Sequence, residues 1–225
     1  MQKLSLVFDL DGTLVDTAPD LSGAMNAVLR AHGRVAVPDA DVRHMVGRGA
    51  RALLERGFAA TGAAASTEAL DGYFDEFIAY YGAHIADGSV PFAGAREALA
   101  RFQAEGHSLA ICTNKPEALS RNLLDALDLT RFFGTIVGAD TLPTRKPDPL
   151  VLLKTIELMG GDPKRAVMIG DSEVDAETAR MAGVKLVIFT FGYSAFDPAT
   201  FGANALIHGY DELPGALAQI AATMG

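Results

Sequence analysis

The segment Val7-Phe8-Asp9-Leu10-Asp11-Gly12-Thr13 sets two carboxylates one residue apart at the end of an apolar run and follows them with a glycine. In extended backbone, side chains repeat every two residues, so Asp9 and Asp11 would face the same way. Carboxylates that close repel unless a cation or a shared proton relieves them. Asp171 and Asp175 follow another apolar run and add the oxygen donors that a hard divalent ion such as Mg²⁺ requires. Lys146 lies in Thr144-Arg145-Lys146-Pro147-Asp148-Pro149, where prolines fix the backbone after it. Held this way, it is a compact positive charge for a phosphoryl oxygen or a nucleophilic carboxylate. Thr113 and Asn114 offer hydroxyl and amide donors at the end of a third apolar run, just before a helix opened by Pro116. Helix starts attract anions. The set describes a pocket in which one carboxylate attacks phosphorus and a second manages a proton. A cation and several donors would offset the repulsion between an anionic nucleophile and an anionic phosphate. Gly12, with Thr13 beside it, would let the chain turn tightly around that phosphate.

These residues need strands that end at one rim. Apolar runs at 4–8, 108–112, 135–137, 166–169 and 185–190 read as buried strands, with a short edge strand at 205–207. Helical patterns at 93–105, 117–127, 149–159, 172–182 and 211–224 separate or close them. This alternation predicts an α/β fold, a doubly wound Rossmann-like parallel sheet covered on both faces. In such a sheet, ligands bind beyond the carboxyl ends of the strands where their order reverses. Between residues 19 and 87 no strand is predicted, only helical patterns at 21–32, 39–45, 50–61 and 70–84. The chain therefore divides into a core of residues 1–15 and 90–225 and an inserted all-helical cap domain of residues 16–89.

With 225 residues, 49% of them hydrophobic, the chain is long enough for a substantial core. A net charge of −9 disfavours nucleic acid or an anionic membrane as partner; the pocket chemistry above makes a small phosphorylated metabolite the expected one, with cations supplied at the site. Cys112 is the only cysteine, so an intrachain disulfide and a multi-cysteine metal site are excluded. The short apolar run at the N-terminus is shorter than a signal peptide, and the chain reads as cytoplasmic, a monomer or homodimer. The five histidines show no metal-ligand spacing, and the alternation of Phe189, Phe191 and Tyr193 is read as core packing.

Asp9-Leu10-Asp11-Gly12-Thr13, Thr113 after its strand, Lys146 before a proline and Gly170-Asp171-Ser172-Glu173-Val174-Asp175 together resemble the four motifs of the haloacid dehalogenase-like phosphohydrolases. The resemblance implies that Asp9 is the nucleophile that forms an aspartyl-phosphate, and that Asp11 is the general acid and then the base. It implies that Thr113 and Lys146 hold the phosphoryl group. Asp9, the Asp11 backbone carbonyl and Asp171 would ligate Mg²⁺, with Asp175 behind them or ordering the loop. Asp11 speaks against dehalogenase activity, because the dehalogenases lack that aspartate. Residues 14–21, Thr113-Asn114-Lys115-Pro116, Lys146-Pro147-Asp148-Pro149, Gly192-Tyr193 and Val46-Gly47-Arg48-Gly49-Ala50 are similar to the phosphoglycolate phosphatases. That likeness implies hydrolysis of 2-phosphoglycolate under a helical cap, with Arg48 reading the substrate carboxylate. Other expected activities are hydrolysis of another sugar phosphate, a nucleotide or pyrophosphate, or hexose-phosphate mutase chemistry. A non-enzymatic phosphate-binding or protein-interaction module is the remaining alternative.

Overall fold

The computed structural model describes residues 3–224. The chain enters on β1 (Ser5–Phe8) and turns into a short β2 (Val15–Asp16). Four helices follow: α1 (Ala18–Ala31), α2 (Asp39–Arg43), α3 (Ala50–Ala60) and α4 (Thr67–Ala83). It returns on β3 (Val90–Pro91) and α5 (Ala95–Ala104). It then alternates through β4 (Ser108–Cys112), α6 (Glu117–Ala126), β5 (Thr135–Val137), α7 (Pro149–Leu158), β6 (Ala166–Gly170), α8 (Glu173–Ala182) and β7 (Lys185–Phe189). The chain closes on β8 (Ala205–Ile207) and α9 (Leu213–Ala222). Among the described residues no helix is long and apolar enough to cross a membrane.

Six strands form one sheet in the order β5-β4-β1-β6-β7-β8, and every pairing is parallel. The period of two along each strand supplies both faces. Leu6, Phe8, Ile111, Ile169 and Phe189 pack into one apolar cluster that includes residues of α5, α6 and α9. Their alternates Val7, Ala110, Met168 and Ile188 pack into another with residues of α7 and α8. Burial on both faces is why these strands read as continuous apolar runs. β1 is central, with Phe8 in register with Ile111 on one side and Ile169 on the other. The order reverses across β1, so the crevice for a ligand opens at its carboxyl end.

The helices of the insertion build a third cluster. Met25 and Leu29 of α1, Leu54 and Phe58 of α3, and Phe77 and Tyr81 of α4 are buried together, and Leu119 of α6 joins them from the sheet side. α1 begins at Ala18, three residues before the predicted start, because Pro19 suits a first helical turn. α4 begins at Thr67, where the Ser66 hydroxyl accepts from the Ala69 amide at 3.1 Å.

The connections to the insertion are paired with each other. Val15 faces Pro91 and Asp16 faces Val90 in a two-stranded antiparallel ribbon. Two residues per strand are too few for a periodic signal, and Pro91 hides the pattern further. Beside the ribbon, the buried Asp20 carboxylate accepts from the Gly88 amide at 2.9 Å, the Ser89 amide at 2.8 Å and the Ser89 hydroxyl at 2.6 Å. One side chain at the start of α1 thus ties the outgoing connection to the returning one. Replacing it leaves several donors unpaired. Asp20→Ala is expected to lower the unfolding free energy by about 2–4 kcal/mol in urea titrations.

Candidate active site

The ends of β1, β4 and β6 carry the polar residues, and the ladder continues just beyond them to fix the backbone. The Asp9 amide donates to the Ile169 carbonyl at 2.9 Å, and the Thr113 amide to the Val137 carbonyl at 3.0 Å. Although β1 ends at Phe8, Asp9 and Asp11 line one cavity, as extended geometry predicted.

Lys146 is buried with its ammonium 3.0 Å from Asp9 Oδ2 and 2.6 Å from Asp175 Oδ1. Asp175 Oδ2 accepts from the Ser172 hydroxyl at 2.7 Å and from the Asp171 and Ser172 amides at 3.2 Å, closing a capping box at the start of α8. Asp171 Oδ1 accepts from the Thr13 hydroxyl at 2.7 Å and Oδ2 from the Tyr193 amide at 2.8 Å. Gly12 has φ +81°, and a Cβ there would stand 2.6 Å from Asp171 Oδ2, so only glycine lets the first loop close on this carboxylate. Oxygens of Asp9, Asp171 and Asp175 lie within 4.8 Å of one another.

Burial pushes the Asp9 carboxyl up to about 6, against the pull of Lys146. Burial, and then the charges of Asp175 and Asp9, push Asp171 well above the carboxylate range. Burial works against the charged form of Lys146 too, but Asp175 and Asp9 outweigh it and hold the ammonium above the ordinary lysine range. The donor set fits a hard cation. Each oxygen of Asp9 and Asp171 has one protein donor and a lone pair left, whereas those of Asp175 are taken up by Lys146, two amides and a hydroxyl.

A second charged cluster was not anticipated. The Lys115 ammonium lies 3.0 Å and 3.3 Å from the two Asp11 oxygens and donates to the Tyr81 hydroxyl at 2.7 Å. Burial disfavours the Lys115 charge, and Asp11 overcomes this to hold it above the ordinary lysine range. The signal in the sequence was a lysine directly between a strand end and the Pro116 helix start. The Tyr81 hydroxyl had none, because Phe77 and Tyr81 read as one apolar helix face. The cavity between sheet and insertion, walled by Leu21, Leu53, Phe77 and Leu119, has a volume of about 30 Å³, room for a few waters.

Two expected substrate contacts are placed differently. The Asn114 amide donates to the Lys146 carbonyl at 3.1 Å and the Gly47 carbonyl at 3.3 Å, so the donors expected for a phosphoryl oxygen are engaged with the protein. Gly47 and Gly49 line the cavity, but the guanidinium of Arg48 is half exposed and reaches Glu173 at 3.5 Å. The Thr113 hydroxyl accepts from the Lys115 amide at 3.2 Å and keeps its proton for a ligand. Tyr193 leaves the aromatic cluster of Phe189 and Phe191. Its hydroxyl accepts from the Thr17 amide at 2.7 Å and the Ala18 amide at 3.0 Å and donates to Asp16 Oδ1 at 2.7 Å. Arg43 pairs with Asp16 and lies over the Tyr193 ring. His32 and His84 stand at the ends of α1 and α4, and burial pushes the Cys112 thiol up to about 11, an inert position.

The family model for haloacid dehalogenase-like hydrolases matches residues 6–189. This chain belongs to that family. It is 50% identical over 210 residues, covering 93% of this chain and 89% of the relative, to a phosphoglycolate phosphatase of Caulobacter vibrioides. It is 45% identical to a phosphoglycolate phosphatase of Mesorhizobium japonicum, covering 97% of this chain and 96% of that one. A crystal structure of a predicted phosphoglycolate phosphatase from Haemophilus somnus superposes with a TM-score of 0.90 at 27% identity, covering 96% and 98% of the two chains. The chain is a haloacid dehalogenase-like phosphatase, and the aspartate cluster beyond the ends of β1 and β6 is of the kind that holds magnesium in this family.

In the folded protein without a divalent ion, Asp9 and Asp171 keep protons that the unfolded chain releases near pH 4. The folded state then binds more protons, so stability falls as pH rises from about 4 through 6. Chemical denaturation in EDTA across that range is expected to show this fall, and added Mg²⁺ is expected to restore stability at the upper end.

Proposed function

We propose that this enzyme is a magnesium-dependent phosphomonoesterase that hydrolyses 2-phosphoglycolate to glycolate and phosphate through an aspartyl-phosphate on Asp9. The observation that carries the reading is the buried Lys146 ammonium beside Asp9, with Asp11 facing the same cavity. The phosphoglycolate phosphatases to which the chain is similar support the choice of substrate.

The carboxylate of Asp9 is fixed by the Leu10 amide at 2.7 Å and by Lys146, so one oxygen is held ready for in-line attack. Attack forms the bond between Asp9 and phosphorus and breaks the bond to the ester oxygen, which takes its proton from Asp11. Lys146 and the Thr113 hydroxyl hold the phosphoryl oxygens through this step. Asp11, now a carboxylate, takes a proton from water, which attacks phosphorus, frees Asp9 and yields inorganic phosphate. Asp9, Asp171 and the Asp11 backbone carbonyl would hold Mg²⁺, which supplies positive charge to the phosphoryl oxygens. Asp175 positions Lys146 and the loop of Asp171. Residues 16–89 act as a cap over a core of residues 1–15 and 90–225. The cavity between cap and core would take the substrate, with the cap opening to admit it and closing to exclude bulk water.

Asp9→Asn is expected to cut phosphate release by roughly 10⁴-fold or more, and EDTA to abolish it in the wild type. Across phosphoglycolate, glycerol phosphate, glucose 6-phosphate, nucleoside monophosphates and pyrophosphate, kcat/KM should be highest for phosphoglycolate. Full turnover in Asp9→Asn overturns the nucleophile, and a higher kcat/KM on another ester overturns the substrate.

A further inference from the structure

Beyond the phosphoryl group, the cavity holds one cation. Among the described residues lining it, the charged ones are Asp9, Asp11 and Lys115. Lys146 sits between Asp9 and Asp175, on the phosphoryl side. Arg48 is turned to Glu173. Of the described charged side chains that line the cavity, Lys115 is therefore the one cation available to a group attached to the leaving oxygen, beside an apolar wall of Leu21, Leu53, Phe77 and Leu119.

We infer that Lys115, with Tyr81 of the helical insertion, binds a carboxylate carried one carbon beyond the ester oxygen and thereby selects small carboxylated phosphate esters. This rests on the phosphatase reading above. The distances set the length of the substrate. For proton transfer the ester oxygen must lie within hydrogen-bond reach of Asp11. The Lys115 ammonium is 3.0 Å from the same carboxylate, so it reaches groups about two bonds from that oxygen. A carboxylate there fits, whereas a long polyol would run into the apolar wall.

Tyr81 completes the subsite from the other side of the cavity. Its ring lies 4.3 Å from the Lys115 ammonium, and its hydroxyl oxygen already accepts from that ammonium, leaving its own proton free for a carboxylate oxygen. Burial pushes this phenol up to about 12, so the proton is retained. Tyr81 lies on α4 of the insertion and Lys115 just after β4 of the core, so the two donors reach the cavity from opposite sides. The apolar surroundings strengthen pairing with an anion and leave little to recognise a neutral alcohol.

The test compares kcat/KM for 2-phosphoglycolate with that for 2-hydroxyethyl phosphate, which replaces the carboxylate by a neutral group. Lys115→Met is expected to lower the ratio of the two by about 10- to 100-fold, and Tyr81→Phe by about 3- to 10-fold. Equal losses on both esters in Lys115→Met would show that the lysine only positions Asp11 and would overturn the inference. A ratio that falls in Arg48→Ala and not in Lys115→Met overturns it as well. If Lys115→Met fails to fold, Tyr81→Phe, which deletes one oxygen, decides: an unchanged ratio overturns the subsite. A wild type that releases phosphate but shows no preference for the carboxylated ester overturns both the substrate and this subsite. A wild-type preference for the carboxylated ester that persists unchanged in both variants overturns the subsite alone and leaves the substrate reading standing.

Discussion

Three buried carboxylates share a space of less than 5 Å around one lysine ammonium, and the rest of the molecule is arranged to keep them there. At an effective dielectric constant of about 20, each pair of such charges repels by about 3 kcal/mol. Lys146 offsets part of this, and Lys115 neutralises Asp11 nearby. Fully ionised, Asp9, Asp171 and Asp175 exceed Lys146 by two negative charges, which a single divalent cation would balance. Burial pushes Asp9 and Asp171 toward their neutral forms, and a cation among them would hold them ionised.

Such crowding requires a rigid frame. Central β1 is hydrogen-bonded on both edges and packed on both faces, so the backbone that carries Asp9 has little freedom to relax away from its neighbours. Asp171 and Asp175 arrive from the adjacent β6 and the first turn of α8, whose capping box uses a catalytic-cluster carboxylate as a helix cap. Helix formation and site assembly are therefore the same event at this end of the sheet. Lys146 comes from a loop instead, and it is held there by its charges and by Asn114, whose amide clamps the Lys146 carbonyl.

The sheet was legible because strands buried on both faces are written as unbroken apolar runs, and the carboxylates at their ends were legible because charge at the end of such a run has few structural uses. Asp9, Asp11 and Asp171 belong to that class, and Lys146 was legible from the prolines that fix the backbone after it. Features built across the two units were not legible. The ribbon of β2 and β3 has no period to read, and Asp20 shows its purpose only once Gly88 and Ser89 are folded back beside it. Lys115 and Tyr81 meet across a separation of 34 in the sequence, and neither spacing nor composition announces that meeting. Arg48, flanked by glycines, looked like a ligand reader, whereas in the fold its nearest opposite charge is Glu173 across the rim.

Tyr193 touches both halves of this system at once: its amide holds Asp171, and its phenol holds the first residues leading into α1. An aromatic side chain has only two rotatable bonds and no slack along its length. One residue therefore anchors the aspartate through its backbone and the entry to α1 through its ring, and removing the ring would free the second without touching the first.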